Sequence, residues 1–226
     1  MTESYYAEKL AAEQLRRCYE IASPRVQQYL SAEIHHVSAK IRPGDTVLEL
    51  GCGYGRAMAQ VARTDTTTVG IDTSLVSLNL ALTFLEHCPK CHLAAADASA
   101  VGFCDDTFNL VFCIQNGISA FGGDRRRLIA EAVRVTRTGG IVLFSSYSEK
   151  FWPQRLEWFE QQAQEGLLGE IDHDLTQDGV IVCKDGFRAT TVSADEFRSL
   201  TIDLPVKASI VEVNQSSLFC ELAVIR

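Results

Sequence analysis

The 226-residue sequence lacks three features that would each define a class of protein. No apolar run approaches the roughly 18 residues that a membrane-spanning helix needs. The first residues, MTESYYAEKLAAEQ, lack the basic and apolar regions of a signal peptide, so we expect a cytoplasmic protein. Positive charge is scarce, because 29 acidic residues outnumber 21 basic ones. An acidic surface repels phosphate backbones, so we expect neither a membrane nor a nucleic-acid partner.

The middle of the chain alternates short apolar runs with helical patterns. The runs predict strands over 46–50, 66–72, 92–97, 108–114 and 140–147. Between them, helices are predicted over about 55–63, over 74–87, and from Asp124 to near Gly139. Apolar strands separated by helices are typical of a parallel sheet that is covered on both faces.

Additional elements flank this alternation. An amphipathic helix is predicted over 5–22, and Ser23 and Pro24 are typical of the start of a second one. After residue 147, the pattern predicts a helix from Trp152 and then short antiparallel strands up to 193. A capped helix at Ser193 and two strands, 206–213 and 218–225, end the chain. The loop between those strands is so short that they must be antiparallel.

The strongest functional signal is a glycine-rich turn between the first predicted strand and its helix. In LELGCGYGR (48–56) three glycines lack Cβ atoms, so the backbone can turn tightly and approach a ligand. The helix that follows presents unpaired N–H groups and partial positive charge to that ligand. The sequence therefore predicts ligand binding at this turn.

This turn resembles the E/D-x-G-x-G-x-G motif of class I S-adenosylmethionine-dependent methyltransferases. The matching residues are Glu49, Gly51, Gly53 and Gly55. The resemblance implies that Glu49 supports the methionyl amino group of the cofactor and that the glycine turn packs against it. Tyr54 and Arg56 are candidates for the carboxylate side.

Later strand ends extend the resemblance. Asp72 ends the second predicted strand, where a carboxylate accepts hydrogen bonds from both ribose hydroxyls. Asp97 and Ala98 stand where the family contacts adenine, and residues 113–116 stand where it places a wall beside the sulfonium. The candidate cofactor-binding residues are Glu49, Gly51, Gly53, Gly55, Asp72, Thr73, Asp97, Ala98 and Gln115.

The resemblance covers about residues 40–147 and implies an α/β fold. We expect a Rossmann-like, mostly parallel seven-stranded sheet with an antiparallel final strand and helices on both faces. Thr138 departs from the proline that is usual before the family's fifth strand. We expect a single domain over residues 1–226. Its parts are a helical cap (1–42), a cofactor-binding core (43–147), a lid or substrate insertion (148–193) and a closing helix and hairpin (194–226).

The implied activity is in-line transfer of a methyl group from S-adenosylmethionine to a nitrogen, oxygen or sulfur atom. The Asn/Asp-Pro-Pro-aromatic motif of nucleic-acid amino methylases is missing after strand four, which favours a small-molecule acceptor. The candidate acceptor-binding residues are Tyr19, Asn116, Ser119, Tyr147 and Trp152. Aromatic side chains there could cage a cation or stack on a ring. No catalytic residue or metal ligand is predicted, and a homodimer is compatible with the sequence.

Two other functions remain open. A NAD-type oxidoreductase would need G-x-G-x-x-G, and Arg56 stands where its third glycine belongs. A non-catalytic partner subunit would bind the cofactor without transferring its methyl group.

Cysteine patterns suggest further sites. Residues 88–92 match the C-x-x-C-H pattern of haem attachment or half of a zinc site, but a plain connector is favoured. A thiolate site for trivalent arsenic at Cys18, Cys113 and Cys183 is less favoured than core packing.

Overall fold

A computed structural model of the protein describes residues 5, 10–121 and 123–226. The strands are β1 (Thr46–Leu50), β2 (Thr67–Asp72), β3 (Cys91–Ala95), β4 (Phe108–Cys113), β5 (Thr136–Tyr147), β6 (Ile181–Val182), β7 (Arg188–Ala189), β8 (Val206–Val213) and β9 (Ser217–Val224). The α-helices are α1 (Glu13–Glu20), α2 (Pro24–Ser38), α3 (Arg56–Val61), α4 (Leu75–Phe84), α5 (Arg125–Val135), α6 (Trp152–Gln164) and α7 (Ala194–Leu200). Within the described ranges, no helix is long and apolar enough to cross a bilayer.

The core is a seven-stranded sheet in the order β3-β2-β1-β4-β5-β9-β8. Strands β1 to β5 run parallel, whereas β9 runs antiparallel to its neighbours β5 and β8. The apolar core of the sheet packs against α5 and α7 and also against α2 and α3. The predicted fold class, with an antiparallel final strand and both faces covered, is confirmed.

The order of the strands creates a crevice at the centre of the sheet. The chain moves outward from β1 to β2 and β3, and then returns to pair β4 with the other side of β1. Glu49 of β1 consequently lies between Gly70 of β2 and Phe112 of β4. In open α/β sheets, ligands bind outside the carboxyl ends of the strands at such a reversal.

The two additions to the core pack against each other. A second apolar cluster joins Tyr29 of α2 to Phe159 of α6 and Phe187 of the insertion. The indole Nε1 of Trp158 donates a hydrogen bond of 2.9 Å to the backbone oxygen of Cys18. The N-terminal helices and the 148–193 insertion therefore form one apolar unit. The divisions at residues 42, 147 and 193 remain predictions.

The predicted helix over 5–22 is wrong at residues 10–12, where the backbone is not helical. Ala12 has φ of 50°, and its N–H donates to Ser77 Oγ across 3.1 Å. This tertiary bond draws the chain onto α4, and α1 begins only at Glu13. Residues 6–9 of the predicted helix lie outside the described residues.

The helix predicted to end near Gly139 is also too long. α5 ends at Val135, and β5 begins at the next residue, Thr136. β-branched residues at 135 and 136 favour the extended conformation. Thr136 is fully buried, and its Oγ1 donates to the backbone oxygen of Ala132. The other strands of the sheet end within about two residues of the predicted bounds.

Candidate functional site

A cleft opens at the carboxyl ends of the central strands. It encloses about 1250 Å³, including the part open to solvent. One half is lined by the ends of β1, β2 and β3, and the other by the N-terminal segment, α1, α6 and the insertion. The additions therefore cover the crevice that the strand order creates.

The glycine turn lies at the base of this cleft. Gly51, Gly53 and Gly55 have φ of 73°, 53° and 87°, a region that side chains other than glycine enter at a cost. A Cβ on Gly51 would stand 2.9 Å from Phe121 Cζ. The turn therefore needs glycine both for its backbone conformation and for close approach.

Asp72 stabilises the glycine turn through a hydrogen bond. Its Oδ2 accepts a hydrogen bond of 2.8 Å from the N–H of Gly53, and its Oδ1 accepts one of 2.8 Å from the N–H of Ser74. Each carboxylate oxygen keeps further acceptor capacity, since a carboxylate offers about four lone-pair sites. Asp72 can thus hold the turn and accept a ligand's hydroxyl groups together.

Two charged side chains in the cleft have buried polar atoms without hydrogen-bond partners. They are Oε2 of Glu49 and the Nε and Nη2 atoms of Arg56. The guanidinium of Arg56 lies 4.3 Å from the ring centroid of Tyr19. Burial raises the pKa of Glu49 to about 8, although the charge of Arg56 favours the carboxylate. A carboxyl group and a guanidinium that line one cleft and have unused hydrogen-bonding capacity can bind a ligand carrying one charge of each sign.

Most of the predicted cofactor-binding residues come together here. Those that line the cleft are Glu49, Gly51, Gly53, Asp72, Thr73, Asp97 and Gln115. Gly55 and Ala98 do not line it. Gly55 precedes α3, and a Cβ there would stand 2.9 Å from a Leu85 methyl carbon. Ala98 is buried in the apolar cluster of the sheet.

The predicted acceptor-binding residues separate into two groups. Tyr19, Asn116 and Tyr147 line the cleft. Ser119 instead lines a neighbouring groove and donates a hydrogen bond to Asn116 Oδ1. Trp152 does not line the cleft and packs against the second apolar cluster.

The end of β4 forms a strained wall of the cleft. Gln115 and Asn116 have φ of 58° and 59°, and consecutive left-handed residues other than glycine persist only when their surroundings hold them. Asn116 Nδ2 donates to the backbone oxygen of Thr190, and its Oδ1 accepts from Ser146 Oγ. The N–H of Gln115 donates to Glu33 Oε2 across 2.5 Å. The wall is therefore tied to α2, to β5 and to the insertion.

Glu33 is a fully buried acid that supports this wall. Its Oε2 also accepts from Ser145 Oγ at 2.9 Å. Burial raises the pKa of Glu33 to about 7, although its hydrogen bonds favour the carboxylate. At neutral pH, the side chain is therefore a mixture of neutral and charged forms.

Glu33→Gln should stabilise the unliganded protein at pH 8 by ~1–3 kcal/mol and leave it unchanged at pH 5. The reason is that a raised carboxyl pKa makes the native state bind more protons than the unfolded state. The wild type therefore loses stability as pH rises from the unfolded pKa of 4.5 through about 7. Urea unfolding at both pH values measures this. The exposed Glu157→Gln is the control, and an equal loss with pH in wild type and Glu33→Gln would contradict the prediction.

Several lining residues were not predicted from the sequence. They include Leu10, Leu15, Ser77, Ala120, Phe121, Phe159 and Ala189. Most come from elements outside the motif. Glu33 was also missed, although its spacing from Val26, Leu30 and Val37 places an acid on the buried stripe of α2.

The cysteines do not gather at the cleft. All eight are free thiols. Cys18 and Cys183 belong to the second apolar cluster, whereas Cys113 belongs to the cluster of the sheet. Burial raises the pKa of Cys18 to about 12 and that of Cys183 to about 11, which keeps both protonated. Among the described residues, no three His, Cys, Asp or Glu side chains are grouped as metal ligands.

Residues 47–140 match the family model described as a methyltransferase domain. The chain is 26% identical over 162 residues to a 2-methyl-6-phytyl-1,4-hydroquinone methyltransferase of Synechocystis, covering 66% of this chain and 50% of that protein. It is 32% identical over 111 residues to a demethylmenaquinone methyltransferase of Streptomyces avermitilis, covering 49% and 46%. The chain thus spans about half the length of the curated relatives it matches.

A solved structure extends the likeness to the whole chain. It is the N-methyltransferase NodS of Bradyrhizobium japonicum, in complex with S-adenosyl-L-homocysteine. The TM-score is 0.67 at 14% identity, and the match covers 100% of this chain and 99% of NodS. At this identity the likeness shows the fold alone.

Proposed function

We propose that this chain, whose residues 47–140 match a methyltransferase domain within a class I methyltransferase fold, transfers a methyl group from S-adenosylmethionine to a small-molecule acceptor. The observation that carries the proposal is the pair of unsatisfied charged groups at the glycine turn. Glu49 and Arg56 together complement the ammonium and carboxylate of an α-amino acid. The methionine end of the cofactor carries both groups.

The adenosine end has its own candidate residues. Asp72 retains acceptor capacity for two ribose hydroxyls while it holds Gly53. Asp97 lines the same half of the cleft, and its Oδ1 accepts from the N–H of Ser99. A pyrophosphate would instead bring negative charge to a half of the cleft that already holds three carboxyl groups. The residues therefore fit S-adenosylmethionine better than a dinucleotide.

The chemistry asked of the protein is mainly positioning. The bound cofactor would supply a methyl group on a positively charged sulfur, which keeps the electron pair of the broken bond. The end of β4 would hold the acceptor nucleophile beside the methyl group, since its two strained residues are fixed from three sides. The apolar cover shields the reacting atoms from water, and a proton lost by the acceptor would reach solvent through the open part of the cleft.

A small acceptor is supported by the covered cleft and by the two relatives, which act on a hydroquinone and a demethylmenaquinone. Net charge of −8 opposes a nucleic-acid acceptor. We also propose a cytoplasmic location, as the sequence predicts; a homodimer is compatible with the sequence.

The function is tested by the proton balance of S-adenosylhomocysteine binding. In the free protein Glu49 is largely protonated below its pKa of about 8, and the ligand's ammonium favours the carboxylate. Binding at pH 7 should therefore release up to about one proton, and affinity should rise between pH 6 and 8 by up to about tenfold per pH unit. Calorimetry in buffers of different ionisation enthalpy measures both.

Two variants and a shorter ligand sharpen this test. Glu49→Gln should abolish the proton release, and Arg56→Met should weaken S-adenosylhomocysteine by about tenfold or more. Both should bind 5′-methylthioadenosine, which lacks the amino-acid end, as the wild type does. Failure of the wild type to bind S-adenosylhomocysteine, or tighter binding of NAD, would refute the proposal. A protein that binds the cofactor and never converts it with any acceptor would be a non-catalytic subunit.

A further inference from the structure

One half of the cleft has a composition of its own. We call it the acceptor slot and define it by Leu10, Tyr19, Gln115, Tyr147, Phe159 and Ala189. These residues come from the N-terminal segment, α1, the end of β4, the end of β5, α6 and β7. None lies at the ends of β1, β2 or β3, where the candidate cofactor-binding acids are.

The walls of the acceptor slot are aromatic or aliphatic. Tyr19, Tyr147 and Phe159 present rings, and Leu10 and Ala189 present aliphatic side chains. Tyr147 and Phe159 are each 7% exposed and are held by the second apolar cluster. Rigid, buried aromatic walls gain most from a flat apolar ligand, because ring stacking adds to the burial of apolar area.

The slot contains a buried polar group that has unused hydrogen-bonding capacity. Gln115 Nε2 is buried and has no hydrogen-bond partner. The amide of the adjacent Asn116, in contrast, is occupied by the Thr190 oxygen and the Ser146 hydroxyl. Since a buried amide N–H without a partner is costly, a ligand oxygen or nitrogen lone pair would satisfy it. Glu33 fixes the backbone from which this amide projects.

The positive charge of Arg155, which lies behind the aromatic walls of the slot, disfavours binding of a cationic ligand. Arg155 is 1% exposed, and its guanidinium lies 4.5 Å from the ring centroid of Tyr147 and 5.5 Å from that of Phe159. The rings already interact with one cation on that side, so a second on the slot side would be repelled. Among the described residues, the acids lining the cleft are Glu49, Asp72 and Asp97, which lie at or just after the ends of β1, β2 and β3.

We propose that the acceptor slot binds a neutral aromatic ring bearing an oxygen substituent, the chemistry of phenols and hydroquinones. The inference rests on the proposed function, because it takes the other half of the cleft to hold the cofactor. Stacking between the aromatic walls positions the ring, and Gln115 Nε2 donates to its oxygen. This excludes the alternative of an aromatic cage for a cationic acceptor.

Binding of 2-naphthol to the protein saturated with S-adenosylhomocysteine tests this assignment. Trp158 reports on the slot, because its ring centroid lies 6.1 Å from that of Tyr19. Fluorescence quenching should show 2-naphthol binding at least about tenfold more tightly than N-methylquinolinium, a flat bicyclic cation of the same size. Naphthalene, without the oxygen, should bind about fivefold more weakly than 2-naphthol.

Two variants test whether the neutral probes bind in the acceptor slot. Gln115→Met removes the donor at similar volume and should weaken 2-naphthol about fivefold while leaving naphthalene unchanged. Ala189→Leu should fill the slot and weaken both neutral probes by about tenfold or more. Ala189→Leu should retain wild-type affinity for S-adenosylhomocysteine. Gln115→Met, at a candidate cofactor-binding position, should keep the wild-type midpoint of urea unfolding, which shows that it is folded.

The outcomes separate the two proposals. If S-adenosylhomocysteine binds and N-methylquinolinium matches or exceeds 2-naphthol, the slot assignment is overturned and the proposed function stands. The same follows if 2-naphthol fails to bind, or if Gln115→Met weakens naphthalene as much as 2-naphthol. If S-adenosylhomocysteine itself fails to bind, the proposed function fails first.

Discussion

Asp72→Ala should weaken the binding of S-adenosylhomocysteine by about 100-fold or more. The carboxylate is proposed to accept two ribose hydroxyls, and each charge-assisted bond contributes about 1.5–3 kcal/mol. The substitution also removes the acceptor of the Gly53 and Ser74 N–H groups, so the glycine turn loses a hydrogen bond that stabilises it. Calorimetry gives the affinity, and thermal unfolding should show a decrease of only a few degrees.

The control for Asp72→Ala is Asp65→Ala, which removes the same charge from an exposed position in the loop before β2. It should leave affinity within about twofold, because an exposed charge is screened by solvent. Asp72→Asn keeps one oxygen acceptor and should fall between the two. If Asp72→Ala bound S-adenosylhomocysteine with wild-type affinity, the assignment of the ribose to Asp72 would be wrong.

Gly53→Val should reduce cofactor affinity by at least about 100-fold, since the strained turn would shift. Gly53 has φ of 53°, and a Cβ there would meet Leu15 Cδ2 at 3.2 Å. A β-branched residue in the left-handed region costs about 1–2 kcal/mol. Relaxing that strain moves the N–H of Gly53 away from Asp72 and brings the valine methyl groups into the cleft.

A matched variant distinguishes the effect of backbone strain from the effect of blocking the cleft. Gly44 also has a positive φ, of 82°, but a Cβ there would meet nothing within 4 Å. Gly44→Val should therefore lose a similar ~1–2 kcal/mol of stability in urea unfolding and keep wild-type affinity. If Gly44→Val and Gly53→Val lost cofactor affinity equally, the loss in Gly53→Val would result from lower stability of the fold and not from a change in the cleft.

The elements that could be predicted from sequence are those whose signals are local. Buried parallel strands appear as short apolar runs, and positive-φ turns need glycine, so β1, the glycine turn and Asp72 were all located. The break at residues 10–12 could not be predicted, because a hydrogen bond to Ser77, 65 positions along the chain, causes it. The predicted end of α5 near Gly139 is too late, because burial of Thr136 begins the strand immediately after Val135.

The same limit applies to the site. Glu33 and Arg155 lie on apolar helical stripes, so their burial was readable from spacing. Their partners were not, because Gln115, Ser145 and Ala189 come from distant parts of the chain. Gly55 belongs to a motif that combines lining residues with residues that only shape the backbone, whereas Ala98 was predicted from its place beside Asp97.

The contacts that hold the insertion to the core bear on how acceptor preference can change. Asn116 is bonded to the backbone oxygen of Thr190, and the backbone N–H of Val192 donates to Ser146 Oγ. Both groups on the insertion belong to its main chain, which every sequence provides except where proline removes the N–H. An exchanged insertion can thus dock on an unaltered sheet and bring new side chains over the cleft. Acceptor selectivity could then be redesigned without changing the half of the cleft proposed to hold the cofactor.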